Sequence, residues 1–360
     1  MNRREFSTQV AAGLSLLGTQ GATAEQAPSR APSPIRCAQI GLDHGHSLDV
    51  LPILRNSPDW EVAGICEPDQ AHRETFGKSE RLRGVRRLTE EEILRDDSIR
   101  MVAVETRADR VLRFGRAAIE AGKHVHLDKP PGTSLPEFKE LLNAAEQRGL
   151  IVQLGYMFRY NAGFDLVRRA VGEGWLGDVY AIHSSMCTDL TPEKRERIAS
   201  YPGGILLELG CHLIDMIVLL LGGPNKVSSF TKHSGDFEDG LIDSGVAVLE
   251  YSHALVSVEV SAMERNAFRT RRFKVLGTQG SALLEPLEPP GARLSLKFPA
   301  GGLESGTHEI EVPEHERHVR DFEELARCIR GQGEFPYSKE HDYLAQRTAL
   351  WAAGVDVTAP

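Results

Sequence analysis

Between residues 34 and 154 short apolar runs alternate with amphipathic stretches, and this alternation narrows the fold more than any other feature. Ile35–Ile40 reads as a strand, then a glycine turn and a helix through Leu54, with Trp60–Cys66 as a second strand. Arg100–Glu105 and His124–Leu127 are further strands, separated by the helix Arg110–Ala121. The helix Leu135–Gln147 and the strand Ile151–Leu154 complete the series. Consecutive strands joined by helical crossovers pair in parallel, so an α/β, doubly wound parallel sheet is predicted.

After Gly155 the pattern changes. Phe164–Gly174 and Gly204–Leu221 read as helices, while Tyr180–Met186, Gly245–Tyr251, Leu255–Ser261 and Arg272–Leu276 read as strands of a large, mostly antiparallel sheet. Helices His315–Arg330 and Lys339–Ala353 close the chain. The reading is thus a parallel-sheet domain over 35–155 and an α+β domain over 156–360, a division that 360 residues accommodate.

Composition excludes several classes. Lys+Arg total 42 against 51 Asp+Glu, a net charge of −9 without the basic face that nucleic acid requires. No apolar run reaches the roughly 18 residues of a membrane span. The longest, around Leu213–Gly222, carries Asp215 and reads as a buried helix. The five cysteines are odd in number and form no C-x-x-C pair, so neither a disulfide framework nor a zinc ribbon is expected.

The first residues read as an address. Arg3-Arg4-Glu5-Phe6 is a twin-arginine pair, Val10–Leu17 is weakly apolar, and Ala22-Thr23-Ala24 is a small-x-small cleavage site. A twin-arginine signal over 1–24, a linker over 25–34 and a periplasmic destination are therefore expected. That route carries folded proteins, often with a cofactor inside.

Gly41-Leu42-Asp43-His44-Gly45-His46 follows the first strand and opens a helix. A dinucleotide fold places G-x-G-x-x-G here, so that backbone N–H groups reach a pyrophosphate. Gly41 matches the first glycine, Asp43 and His46 replace the other two, and Gly45 offers close approach in a shifted turn. Asp43 sets a carboxylate beside the pyrophosphate. Glu67, ending the second strand, can accept from adenosine ribose hydroxyls, which favours NAD over NADP. These residues make a Rossmann reading of the first domain.

Lys129 lies past a strand, at the carboxyl edge where open α/β sheets bind ligands. Beside Asp128 it can orient a hydroxyl or share its proton. In the stretch from Gly203 to Asp215, Glu208 and His212 are four residues apart, hence on one helix face, and Asp215 follows three later. Polar groups on an apolar helix cost free energy unless paired or used.

These pieces resemble the Gfo/Idh/MocA oxidoreductases, named for glucose-fructose oxidoreductase and inositol dehydrogenase. Asp128-Lys129-Pro130 stands for the family's E-K-P, and Gly203–Asp215 for its G-G-x-x-x-D-x-G-x-H-x-x-D helix. Gly277-Thr278-Gln279-Gly280 resembles its G-T-x-G turn, and Ala117–Gly122 with His124-Val125 its A-x-x-A-G-K-H-V run. The resemblance implies catalytic roles for Lys129, Glu208 (in place of Asp) and His212. It implies a cofactor site from Gly41, Asp43, His44, Gly45, His46, Glu67, Thr106, Asp128 and Lys129, and a substrate pocket beginning at Tyr156, Arg159 and Asp215. It also implies a sugar or polyol substrate and a homo-oligomer formed through the second sheet.

In that reading His212 takes a hydroxyl proton as hydride leaves for nicotinamide, Lys129 stabilises the alkoxide and Glu208 orients His212. An exported member would keep its nucleotide bound and regenerate it in each cycle. Two alternatives stay open: a redox-neutral, NAD-dependent glycosidase, and a non-catalytic nucleotide or sugar binder. The pairs His44/His46 and His124/His126 raise a metal site, which is set aside because no third ligand is indicated.

Overall fold

The computed structural model describes residues 33–314 and 316–357. The expected signal and all but the last two residues of the linker lie outside them. From Pro34 on, the described residues form one compact unit.

The first sheet holds β1 (Ile35–Ile40), β2 (Trp60–Cys66), β3 (Met101–Val104), β4 (His124–Leu127) and β5 (Val152–Leu154). All pair in parallel, in the order β2-β1-β3-β4-β5. An isolated parallel bridge, Ile65 to Arg87, adds one extended position beyond β2. The helices of this half are α1 (Ser47–Asn56), α2 (Gln70–Phe76), α3 (Glu90–Arg95), α4 (Ala108–Glu120) and α5 (Leu135–Gln147). β3 and β4 are buried at every position, as a sheet covered on both faces requires. On α4, Ala108, Val111, Leu112, Gly115, Ala118 and Ile119 are buried at the three-and-four spacing of one helix face. A Cβ on Gly115 would fall 2.8 Å from Leu127, so glycine there lets the helix approach β4.

The second sheet holds β6 (Val179–Ser185), β7 (Lys226–Lys232), β8 (Ser244–Glu250), β9 (Leu255–Ser261), β10 (Arg272–Gly277), β11 (Gly280–Leu287), β12 (Pro290–Leu296) and β13 (Gly306–Ile310). Their order is β13-β12-β11-β10-β6-β9-β8-β7, antiparallel except for β6 with β9. The remaining helices are α6 (Ala162–Gly172), α7 (Pro192–Ile198), α8 (Ile205–Leu221), α9 (Val319–Ile329) and α10 (Lys339–Ala352). α8 is buried through most of its length, between β9 and α10.

The two predicted sheets are both present, with strand ends within a residue or two. β7, β11, β12 and β13 were not anticipated. β11 carries Pro286 and β12 opens on Pro290, and β7 and β13 are edge strands with polar sequences. The helix expected from 315 begins instead at Val319, after His318 at φ 64°; His315 lies outside the described residues.

The C-terminal stretch serves both sheets. α9 returns to the first, where Phe322, Leu325 and Ala326 share a core with Ile35, Val50, Leu54, Trp60 and Met101. Trp60 Nε1 donates to the Phe322 carbonyl at 3.2 Å, and Gln153 Nε2 to the Asp321 carbonyl at 2.8 Å.

A buried ionic clamp joins the turn after β5 to α8 and α10. Arg159 donates to both Asp215 oxygens, at 3.0 and 2.7 Å, and to Asp342 Oδ1 at 2.6 Å. His341 Nε2 lies 3.0 Å from Asp215, and Tyr337 Oη donates to the Arg159 carbonyl at 2.7 Å. Arg159 and Asp215, expected at the start of a substrate pocket, have their charges committed to each other, and both are buried. Burial raises the Asp215 carboxyl, but Arg159 more than offsets this and leaves it below its ordinary range.

Two outcomes follow from this packing. Phe322→Ala is expected to cost about 3–5 kcal/mol by chemical denaturation, with altered Trp60 fluorescence. Arg159→Met leaves Asp342 without its cation and Asp215 with His341 alone, and is expected to cost about 3–5 kcal/mol at neutral pH. Asp215, with its folded pKa depressed, contributes stability above its unfolded value of about 3.9 and loses it as pH falls. The gap between wild type and Arg159→Met should therefore narrow on acidification; a gap that widens would contradict the clamp.

Candidate active site

The carboxyl ends of β1, β3, β4 and β5 face the N-terminal half of α8, and the charged groups gather there. Gly41 ends β1 at φ +99°, where an added Cβ would fall 2.4 Å from Thr106 Cγ2 and 2.6 Å from the Glu105 carbonyl. Only glycine permits that approach. Both Glu67 oxygens accept backbone N–H groups, Oε2 from Leu42 and Oε1 from Asp69 at 2.9 Å, so Glu67 braces the turn. Asp43 is buried, with Oδ2 at 3.5 Å from Arg110 and 3.7 Å from His72. Neither Asp43 oxygen has a hydrogen-bond partner among the described residues.

This turn fits a dinucleotide better than its glycine count suggests. The Asp43 charge is answered by Arg110, and a Cβ on Gly45 would lie 3.3 Å from the Arg197 guanidinium, so cations flank the turn on two sides. Beside Glu67 a cavity of about 660 Å³, lined by Pro68, Arg73, Thr89 and Glu90, lies where an adenosine is held in such folds.

Lys129 reaches from the end of β4 to α8. Its Nζ donates to Glu208 Oε1 at 2.8 Å and to the Glu208 carbonyl at 3.0 Å. Burial pulls the Lys129 pKa down, but Glu208 outweighs it and the ammonium ends above its ordinary value. Burial likewise raises Glu208, and Lys129 reverses the direction. Both are charged. His212, one turn along, is held well below the usual histidine range by burial and by Lys129. It is neutral, and its Nδ1 is buried without a hydrogen-bond partner among the described residues. Glu208 thus holds Lys129, where the sequence reading had given it His212 as partner.

Asp128 is approached from three sides. The Lys129 backbone N–H reaches Oδ1 at 2.7 Å, His46 Nδ1 lies 3.2 Å from Oδ1, and His44 Nδ1 contacts Oδ2. Burial raises Asp128, but His44 and His46 hold it well below the carboxylate range. Glu105 moves the other way, pushed well up by burial and by the Asp128 charge. The two carboxyls therefore divide into one ionised and one protonated group.

The predicted residues Gly41, Asp43, His44, Gly45, His46, Glu67, Thr106, Asp128, Lys129, Glu208 and His212 come together at this edge. Tyr156 lies beside His212, ring centroids 5.9 Å apart, with its hydroxyl unpartnered among the described residues. Sequence reasoning missed Glu105, Arg110, Arg197 and His318. Glu105 was legible as the residue ending the third strand; the others become neighbours only through packing.

Residues 35–156 match the family model described as "Oxidoreductase family, NAD-binding Rossmann fold", and residues 164–283 the "GFO/IDH/MocA C-terminal domain". The chain is 28% identical over 308 residues to a dTDP-3,4-didehydro-2,6-dideoxy-alpha-D-glucose 3-reductase of Streptomyces violaceoruber, covering 83% of this chain and 84% of that one. It is 26% identical over 252 residues to the trans-1,2-dihydrobenzene-1,2-diol dehydrogenase of Bos taurus, covering 68% and 72%. Its fold is similar to KijD10, a 3-ketoreductase from Actinomadura kijaniata solved with TDP-benzene and NADP, at TM-score 0.71, 22% identity and coverage of 89% and 96%. It is also similar to GenD2 from gentamicin A biosynthesis, solved with NAD, at TM-score 0.72, 22% identity and coverage of 91% and 95%. The chain belongs to the Gfo/Idh/MocA oxidoreductase family, as a dehydrogenase-type enzyme with an NAD-binding Rossmann domain.

Proposed function

We propose that this enzyme transfers hydride between a nicotinamide dinucleotide and a carbinol carbon of a sugar, polyol or sugar derivative. The observation that carries this is the charged Lys129–Glu208 pair beside a neutral, unpartnered His212 at the carboxyl edge of the sheet. Glu67, Thr106 and the Gly41–His46 turn would hold the nucleotide, which supplies or takes the hydride when bound.

The chain's own groups handle the proton. His212 Nδ1 accepts it from the substrate hydroxyl in oxidation and returns it in reduction. The Lys129 ammonium, held by Glu208, donates to the same oxygen as negative charge develops there. Tyr156 Oη is a further donor on the His212 side of the site. The named sugar reductase among the relatives favours a sugar-class substrate, and these reductases and dehydrogenases favour net redox over a redox-neutral glycosidase. The Arg3-Arg4 pair supports a twin-arginine, periplasmic destination, which would favour a nucleotide that stays bound and is recycled.

Lys129→Met and His212→Asn are each expected to lower kcat about 10²–10⁴-fold on an oxidisable sugar. Because the His212 pKa is depressed, the acid limb of kcat/KM should lie below the ordinary histidine value of about 6.5 and vanish in His212→Asn. An acid limb that persists there would remove His212 as the base. Product analysis of a sugar and glycoside panel separates the readings: an oxidised or reduced sugar supports the proposal, and released aglycone without net redox overturns it.

Glu67→Ala is expected to reduce the NAD-over-NADP preference by about tenfold or more, about 1.4 kcal/mol. An unchanged ratio would limit Glu67 to bracing the turn.

A further inference from the structure

Arg271 is a buried charge that the fold does not pair. The residue is 4% exposed, and its guanidinium makes one hydrogen bond among the described residues, from Nε to the Cys187 carbonyl at 2.9 Å. One face of the guanidinium lies over the Phe268 ring, 3.8 Å from the centroid. A guanidinium carries five N–H donors, so four are left without an acceptor. No carboxylate among the described residues forms an ion pair with it: Glu288 is taken by Arg317, and Glu264 accepts from the Thr270 hydroxyl. Burial pulls its pKa down to about 10, which leaves it charged at neutral pH.

The other two buried arginines among the described residues, Arg159 and Arg195, each hold two carboxylates. A buried charge with no partner is strongly unfavourable unless something else supplies one.

Arg271 stands at the catalytic end of the second sheet. It precedes β10, whose alternate residues Phe273 and Val275 are buried, and it shares their face. From Phe273 a run of rings leads to His212. Centroid to centroid, Phe164 lies 5.0 Å from Phe273, Phe158 lies 4.6 Å from Phe164, and His212 lies 5.7 Å from Phe158. The start of β10 pairs with the end of β6, at the end of the sheet where β8 starts. There α8 begins, its Ile205 N–H bonded to the Ile242 carbonyl just before β8. The Arg317 charge bears on both His212 and Arg271, which sets the three around one space. Arg317 also lines, with His46 and His318, a cavity of about 760 Å³.

We propose that Arg271 binds a carboxylate of the substrate, so that the sugar-class compound turned over here is a sugar acid. The inference rests on the hydride-transfer reading for its chemistry and narrows its substrate. Because Nε is committed to Cys187, the two terminal nitrogens remain, and as a pair they suit the two oxygens of a carboxylate. The charge count selects a monoanion. Lys129 is neutralised by Glu208 and Arg317 by Glu288, which leaves the Arg271 charge to be answered. A phosphate, with close to two negative charges, would be left in excess. A neutral sugar would leave the guanidinium desolvated and unpaired, so the acid is discriminated in binding.

The test is calorimetric titration of the full-length, NAD-loaded protein with glucuronate and galacturonate, each beside its neutral parent sugar and the parent's 6-phosphate. NADH formation is followed on the same panel. At least one acid is expected to bind about 10- to 100-fold more tightly than its parent and its phosphate. Arg271→Met is expected to remove that preference, and Arg271→Lys, which keeps the charge without the planar fork, to retain part of it. Arg272→Met, on the opposite face of β10, should keep it in full. Because the charge serves no partner in the fold, Arg271→Met should melt no lower than wild type, whereas loss of a structural arginine would lower Tm. No acid preferred over its neutral parent, or a preference that survives in Arg271→Met, overturns the proposal; a preference for the phosphate overturns the carboxylate. The two readings fail separately: an acid bound through Arg271 with no NADH formed removes hydride transfer alone, and turnover of neutral sugars with no preference for acids removes only the anion site.

Discussion

The ion pair of buried Lys129 with partly buried Glu208 is the constraint on which the site depends. Two charges are taken out of water, and leaving either alone would cost about 3–5 kcal/mol. The pair is held because two unrelated elements, the end of β4 and the first turns of α8, meet there at 2.8 Å. It fixes the position of α8 over the sheet edge. That in turn sets His212 beside Tyr156 and places Asp128, the residue before Lys129, against the turn after β1.

Around this pair the protein sorts protons by environment. Glu105 and Asp128 are both buried carboxyls, yet the histidines hold one ionised while burial and the neighbouring charge hold the other protonated. His46 is lowered to about 4 by burial, against the pull of Asp128, and His212 is lowered further along the same edge. An imidazole kept neutral beside a fixed ammonium accepts a proton and leaves the positive charge where an alkoxide would form. The Arg159–Asp215–Asp342 clamp does a different job, locking α8 and α10 to the turn after β5 from below.

Much of this was legible in the sequence, for reasons that are physical. The parallel strands are continuous apolar runs and their helices carry one apolar face, so period and length identify them. Lys129, Glu208 and His212 stood out because charged groups on apolar elements need an explanation. Strands β11 to β13 were hidden by prolines and polar edge positions, where side-chain periodicity carries little information. The partners of Glu208, Asp215 and Asp128 were not legible for one reason. Helical and strand spacing says which residues share a face, but their partners came from other elements: Lys129 from β4, Arg159 from the turn after β5, and His44 and His46 from the turn after β1. The return of α9 to the first sheet is equally invisible, since Phe322 and Trp60 are far apart in the chain.

The replaced glycines of the first turn are the point at which sequence and chemistry most nearly conflict, and Arg110, Arg197 and the cavity beside Glu67 resolve it toward nucleotide binding. The most direct measurement of that account is the nucleotide released when the folded full-length protein is denatured and its supernatant assayed for NAD(P)(H). Near-stoichiometric NAD is the predicted result. A protein that releases none and takes up none when NAD is added would contradict hydride transfer at this site.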